Sequence, residues 1–558
     1  MTPLSPRSRI AGLLVVVVAA LAGCGGEPSN PDPAPPNFLL IVTDDQRWDT
    51  LFAMPHLAAS LGRDALRFDN AFVTNPVCCP FRSSLLAGGF PSHQTGVLTA
   101  TPLNGAAARF DDSETLATLL SRRGYRTGLI GKYLNFYDQI APRVPPGWNR
   151  FMVATTPYRW WNTEWIVGAS GVDGPAEGQR QTTGAYITYV EAEAALAFLD
   201  EASAGEPFFL LVATHAPHRP AIPPQADDGR WRDFSYRARA FDEEDLADKP
   251  DYVRRREDFF HQHNAESGLV GVLPRGQLEA LGAVDRMVRD LMVRLEERGL
   301  ADNTVVVFTS DNGMLWGEHR LFTKSLPYEE SIRVPLLMRL PGVAPRVMTE
   351  LVAVDLDLAA TLLDLAGIER PAEGRSLLPL AEGHGAGWRD ALRFENFGVD
   401  PDVVPPWVAL RTDRWKYVEY ATGERELYDL EDDPFELDNR VAGPRVADAE
   451  RTAERLAARL GGFRGLAMAD SSRLPEARLG ESWSHPLTAV GGTGERSWRV
   501  LEGRLPAGLT LQADGRIAGT PTRPGSFRAL VEVSDESVSP VTGREQSYRR
   551  WFDIRVSR

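Results

Sequence analysis

Cysteine is nearly absent. The 558 residues hold 3: Cys24, Cys78 and Cys79. A disulfide framework and a four-thiolate zinc site are both excluded, and each thiol needs its own explanation. An excess of positive charge is lacking too. Lys+Arg total 61 against 76 Asp+Glu, a formal net charge of -15, which argues against a nucleic-acid binder working by bulk electrostatics. The apolar run Ile10–Ala22 (IAGLLVVVVAALA) is too short and too near the start for a good membrane span. What is present is a globular balance, 43% hydrophobic and 25% charged. That rules out wholesale disorder and collagen-like structure. At about 150 residues per domain, the length suggests three to four domains.

Arg7 and Arg9 precede the apolar run, which reads as an export signal. It ends in Leu21-Ala22-Gly23-Cys24. That tetrapeptide resembles a bacterial lipobox, which implies that Cys24 is lipidated and becomes the new N-terminus. Residues 1–23 are then the signal and 24–36 a Pro-rich tether with nothing to pack. The expected product is an exported lipoprotein, held by its lipid anchor on the membrane or cell surface or in the periplasm.

Four segments share one layout, an apolar run followed at once by polar residues. They are Phe38–Val42 before Asp44-Asp45, Thr127–Ile130 before Gly131-Lys132, Phe208–Ala213 before Thr214–His218, and Val305–Phe308 before Asp311-Asn312-Gly313. Helical patterns at Glu114–Arg123, Tyr186–Glu201 and Gln277–Arg298 lie between them. Alternating strand and helix predicts an α/β domain over 37–370, a mostly parallel sheet sandwiched by helices. Ligands bind such sheets at the carboxyl ends of the strands, where these polar residues fall. Residues 371–465 read as a small antiparallel subdomain, with strands at Trp407–Thr412, Trp415–Tyr420 and Leu427–Asp429 and a closing helix over 441–463. In 470–558, short runs at Trp498–Leu501, Gly508–Leu511, Gly515–Ala518 and Arg528–Ser534 are spaced by Gly, Pro and Asp. That is a β-sandwich pattern. Leu505-Pro506-Ala507-Gly508-Leu509 and Asp514–Pro521 resemble the immunoglobulin-like modules appended to bacterial surface proteins.

Residues 76–88 read Pro-Val-Cys-Cys-Pro-Phe-Arg-Ser-Ser-Leu-Leu-Ala-Gly. Adjacent cysteines rarely pair with each other, because the bridge is strained. The spacing Cys-x-Pro-x-Arg resembles the signature of the sulfatase family. The resemblance implies that Cys78 is oxidised to formylglycine by a formylglycine-generating enzyme. It also implies that Arg82 holds the modified side chain. Phe81 and Ala87 depart from the usual Ser or Ala and Thr. The likeness continues in order to about Asn439. It implies Asp44, Asp45, Asp311 and Asn312 as metal ligands, Lys132 and His218 as sulfate-binding groups, and Lys324 as the distal lysine.

The chemistry suits these residue types. Cleaving an anionic sulfate ester needs bound positive charge and a nucleophile of lowered pKa, and a divalent cation serves both needs. Hard oxygen ligands suit Ca²⁺. No Cys or His neighbours them in sequence, which argues against zinc. Arg82, Lys132 and Lys324 leave the pocket cationic in an acidic protein. His218 and Lys324 are the candidates for protonating the leaving oxygen. In the family, the second hydroxyl of the aldehyde hydrate expels sulfate and restores the aldehyde. His215 and His319 are candidates for the pocket wall or substrate contact.

Lys132-Tyr133-Leu134-Asn135, Val144–Trp148 and the double Cys78-Cys79 resemble glucosamine-6-sulfatases and extracellular heparan endosulfatases. The resemblance implies a sulfated carbohydrate substrate, with Asn135 as a neutral hydrogen-bonding group. Two other readings stay open. One is a phosphoester or phosphonate hydrolase of the same superfamily. The other is an inactive surface glycan-binding protein. The aromatic cluster Tyr158–Trp165 is either a lid core or a sugar-stacking surface, and Asp227–Asp258 reads as a solvated insertion.

Overall fold

The computed structural model describes residues 34–558 apart from 91–94, 157–158, 204, 256–268, 371–372, 399–402, 444–445 and 539–544. The export signal, Cys24 and most of the tether lie outside the described residues, as does Tyr158. No helix among the described residues is long and apolar enough to cross a membrane.

Asn37–Thr43 (NFLLIVT) is buried at every position and forms the middle of the main sheet. It pairs in parallel with Phe208–Ala213 on one side and Thr304–Ser310 on the other, with Ile41 opposite Val212 and Phe308. Continuous apolar runs are what a strand covered on both faces requires. The period of two then divides the side chains. Phe38, Leu40 and Val42 join one core, together with Leu85, Leu116 and Leu358 from helices Cys78–Ala87, Leu116–Arg122 and Val354–Leu365. Leu39 and Ile41 join the other, with Phe198 and Leu281 from helices Ile187–Asp200 and Leu269–Glu297.

The sheet has ten strands. Arg126–Gly131 and Arg150–Ala154 continue the parallel set beyond Phe208–Ala213. Outside these five the pairing is mostly antiparallel. Leu336–Arg339 runs against Thr304–Ser310, and Thr163–Gly168 against Arg150–Ala154. The sheet is thus parallel at its centre and mixed toward its edges.

Ala391–Asn396, Trp407–Thr412, Trp415–Tyr420 and Arg425–Asp429 form an antiparallel sheet. Val408, Leu410 and Tyr417 pack on helix Ala447–Leu460. Trp407, Ala409 and Val418 pack on Phe72 and Tyr328 of the main domain. At the C-terminus the long hairpin Gly525–Val538 and Glu545–Ser557 is flanked by Arg496–Gly503. Leu509 and Ile517 from a separate three-stranded sheet pack against its Val531, Val533 and Phe552, making a sandwich.

The segment expected to be a solvated insertion is not simply solvated. Asp227 is buried and ion-paired with Arg286 at 2.6 Å. Trp231, Phe234 and Tyr236 pack around Trp316 and Met314. Asp227, Glu243 and Lys249 are buried, while Asp228, Arg230, Arg232, Asp233, Glu244 and Asp245 are exposed as expected; local composition does not reveal which charges have partners inside the fold. Within the aromatic cluster, Trp160 and Trp165 are core residues, while Trp161 is 39% exposed.

Candidate active site

The parallel strands deliver their following residues to one edge of the sheet. Thr43 and Ser310 lie opposite each other in the register, so Asp44-Asp45 and Asp311-Asn312 emerge side by side. Asp45 takes a left-handed backbone, φ 66°. Its N–H donates to Asp311 Oδ1 at 3.2 Å, and Asn312 Nδ2 donates to Asp45 Oδ1 at 2.7 Å. Lys132, next along from Gly131, donates to Asp44. Gly131 is required there by space as well as by its φ of 109°, since a Cβ would lie 2.0 Å from the Ala213 carbonyl oxygen. Lys324 reaches the same cluster, donating to Asp45 and, at 3.4 Å, to Asn312 Oδ1. His218 Nε2 is 3.6 Å from Asp45 Oδ2.

Cys78 and Arg82 share the Cys78–Ala87 helix, Cys78 in its first turn and Arg82 one turn on. Residues four apart lie on one helical face. Arg82 donates twice to Asp311 Oδ2, at 2.9 and 2.8 Å, and once to the Lys132 carbonyl at 3.0 Å. Both cysteines are buried and unbridged. The Cys78 thiol donates to Asn135 Oδ1 at 3.6 Å, and the Asn135 N–H donates to Cys79 Sγ at 3.1 Å. A hydrogen bond from Cys79 holds the Cys78 thiol well below its ordinary pKa; burial opposes this, and Lys132 and Lys324 add to it. Burial pushes Cys79 the other way.

Burial alone would raise the Asp44 and Asp45 pKa values. The neighbouring cations outweigh it: Lys132, His218 and Lys324 hold Asp44 down, and Lys324 and His218 hold Asp45 down. Asp311 goes the other way. Burial and the Asp44 carboxylate push it up to about 7, against Arg82 and Lys132. Lys324 is raised well above its usual value, its own desolvation being outweighed by Asp45, Cys78 and Asp44.

A hard divalent cation fits this donor set. The Asp44 and Asp45 carboxylates lie close enough to share an ion, and buried Asp44 Oδ1 has no hydrogen-bond partner, while Asp311 is taken up by Arg82 and the Asp45 N–H. One part of the sequence argument needs correction. A histidine does stand beside these oxygens, because His218 forms a possible ligand group with Asp44 and Asp45 whose atoms lie within 4.8 Å. The turn after the third strand brings it there, so donor type alone does not exclude zinc.

His215 and His319 lie apart from each other. His215 is buried, with Nδ1 on Glu191 Oε1 at 2.7 Å and no hydrogen bond at Nε2. Burial and the nearby Lys132 push it down to about 3. His319 is fully buried, bonded to Glu243 at 2.6 Å and lying on Tyr328 at 4.1 Å. It makes no direct contact with Asp44, Asp45 or Cys78 among these bonds.

Two supporting residues escaped the sequence reading. Glu191 sits on the apolar face of its helix with Ile187, Ala194 and Phe198, an acid where the periodicity wants a hydrophobe. That was the available signal. Gln277 donates to the Asp45 and Pro217 carbonyls at 3.2 and 3.1 Å, tying two strand-end loops together. Nothing local marks it.

The sulfatase family profile matches residues 36–368. The profile for the C-terminal part of N-sulphoglucosamine sulphohydrolase matches 317–461, and an Ig-domain profile matches 469–549. Human N-acetylglucosamine-6-sulfatase is 31% identical over 392 residues, covering 66% of this chain and 69% of its own. A solved structure in complex with its substrate D-glucosamine-2-N,6-O-disulfate superposes with a TM-score of 0.64 at 23% identity, covering 77% of this chain and 97% of its own. The phosphonate monoester hydrolase of Agrobacterium radiobacter superposes with a TM-score of 0.56 at 22% identity, covering 76% and 94%. The chain belongs to the sulfatase family, enzymes that hydrolyse sulfuric esters.

Proposed function

We propose that the chain is an exported sulfatase acting on sulfate monoesters of amino sugars, in the manner of N-acetylglucosamine-6-sulfatases. Its nucleophile derives from Cys78 by oxidation to formylglycine, and Ca²⁺ is its divalent ion. The observation that carries the reading is the convergence on one sheet edge of Cys78 with Arg82, Lys132, Lys324 and His218 around Asp44, Asp45, Asp311 and Asn312. The human relative's activity and the disulfated glucosamine bound to the structural neighbour support the choice of sugar. Export and lipidation at Cys24 belong to the same reading.

Asp44, Asp45, Asp311 and Asn312 would hold the ion, which would supply positive charge and lower the nucleophile's pKa. Oxidised Cys78 supplies a hydrated aldehyde, whose hydroxyl is the attacking group. The remaining work falls to this chain's side chains. Arg82 fixes the nucleophile's helix to the Asp311 loop. Lys132 and Lys324 present fixed ammonium groups to an anionic ester, which lowers the barrier most where charge develops. His218 and Lys324 are the proton donors placed to neutralise the leaving alkoxide.

The test pairs mass analysis of the Cys78 peptide with turnover of N-acetylglucosamine-6-sulfate. A thiol-to-aldehyde change with sulfate release is the expected result. An unmodified Cys78 despite a competent maturation enzyme, with no turnover, would overturn the reading. The fold likeness to a phosphonate monoester hydrolase keeps a second reading in the same assay. Faster turnover of a phosphonate monoester than of any sulfate ester would establish it.

A further inference from the structure

The C-terminal sandwich is packed into the catalytic unit at two places. Leu98 of the α/β domain and Phe397 of the antiparallel subdomain are buried in the same cluster as Val531, Tyr548 and Phe552 of the sandwich. The buried Asn104 side chain makes both of its amide bonds to one residue there. Its Nδ2 donates to the Arg549 carbonyl and its Oδ1 accepts the Arg549 N–H, each at 2.9 Å. The outer edge of the Glu545–Ser557 strand is paired with Arg473 at Asp553 and with Ala477–Arg478 at Val556 and Ser557. At Arg549, Asn104 takes the place of a neighbouring strand.

The loop that carries Asn104 is closed on itself. The Leu98 N–H donates to the Asn104 carbonyl at 2.8 Å and the Ala106 N–H to the Thr99 carbonyl at 3.3 Å. Gly105 admits no side chain, since a Cβ would lie 1.7 Å from the Thr99 oxygen. A loop so constrained moves as a unit. Its exit is bonded to the site, the Ala107 N–H donating to the Asn135 carbonyl at 3.0 Å. Asn135 in turn holds both Cys79 and Cys78. A second route starts at Tyr548, whose Oη donates to the Phe397 carbonyl at 2.9 Å. Phe397 follows the strand Ala391–Asn396, and the Glu395 N–H donates to the Thr74 carbonyl at 3.0 Å, four residues before Cys78.

We propose that the immunoglobulin-like module is a clamp on the nucleophile. Asn104 and Tyr548 are positioning residues that fix the two approaches to Cys78, through Asn135 and through Thr74. This rests on Cys78 being the nucleophile. A misplacement of about 1 Å originating far from the chemistry is enough to slow it by about two orders of magnitude.

The test uses the full chain carrying Asn104→Ala, Tyr548→Phe or both, with kcat and KM on an aryl sulfate and amide hydrogen exchange. The expected result is a kcat lowered about tenfold in the double variant with KM nearly unchanged, a melting temperature lowered by only a few degrees, and faster exchange at residues 133–137. Unchanged kcat, or exchange raised only within 98–106, would make the contact simple docking and overturn the proposal. If Asn104→Ala does not fold, Tyr548→Phe carries the test. A wild-type chain without sulfatase activity would sink the functional reading instead, and the exchange at 133–137 would then decide the clamp by itself.

Discussion

Arg82 and Asp311 are 229 residues apart in the chain, yet the Arg82 guanidinium places Nε and Nη2 on a single Asp311 oxygen, at 2.9 and 2.8 Å. The pair joins the helix of Cys78, the proposed nucleophile, to the loop of the proposed metal ligands. Both partners are buried, so removing either would leave an uncompensated charge. Arg82→Lys keeps the charge and loses the paired donors. It should lower kcat by at least about tenfold, and steady-state kinetics on a sulfate ester would show it.

Cys78→Ala removes the thiol whose oxidation is proposed. Turnover should fall by at least about a thousandfold, while the circular dichroism spectrum stays that of the parent. Retained turnover would refute Cys78 as the nucleophile.

His218 and Lys324 are separable by leaving group. A general acid matters most when the departing oxygen is a poor leaving group. Substituting the true acid by Ala should cost about 10²-fold or more on a sulfated sugar and much less on an activated aryl sulfate. Equal losses on both substrates, for both variants, would place the proton elsewhere.

Stripping divalent cations with a chelator should lower both activity and the melting temperature, because an ion held only by the native state stabilises it. Titrating Ca²⁺ and Zn²⁺ back separately identifies the metal. Full activity in a metal-free preparation would refute the site.

Asp355 gives a pH prediction away from the site. It accepts the Thr74 N–H at 3.1 Å and the Thr74 hydroxyl at 2.5 Å. Burial pushes it up to about 7, although the Thr74 bonds pull the other way. The folded state therefore binds this proton more tightly than the unfolded state does. Its stabilising contribution is complete below the unfolded value of 3.8 and is lost as pH rises toward about 7. Asn can accept the same N–H and donate to the same hydroxyl without titrating. Asp355→Asn should thus gain stability on the wild type as pH rises from 4 to 7, by up to about 1.4 kcal/mol per pH unit. Denaturant melts at several pH values would measure it, and parallel curves would refute it.

Much of the fold was legible locally, because its strands announce themselves by burial. Phe208–Ala213, Trp407–Thr412 and Trp415–Tyr420 fall where the apolar runs end. Glu545–Ser557 was missed, though Tyr548, Phe552, Ile554 and Val556 alternate inward, because its arginines mask the period. Gln179–Thr183 is almost wholly exposed and polar, and only pairing to Thr163–Gly168 makes it a strand.

The sequence by itself determined the order of strand ends and the chemical types that follow them, since both are local properties of the chain. It could not determine that His218 stands beside Asp45, that Glu191 holds His215, or that Asn104 grips Arg549. Each depends on residues brought together by sheet register and loop closure. Their spacing in the chain carries no trace of contact, so only the tertiary structure decided them.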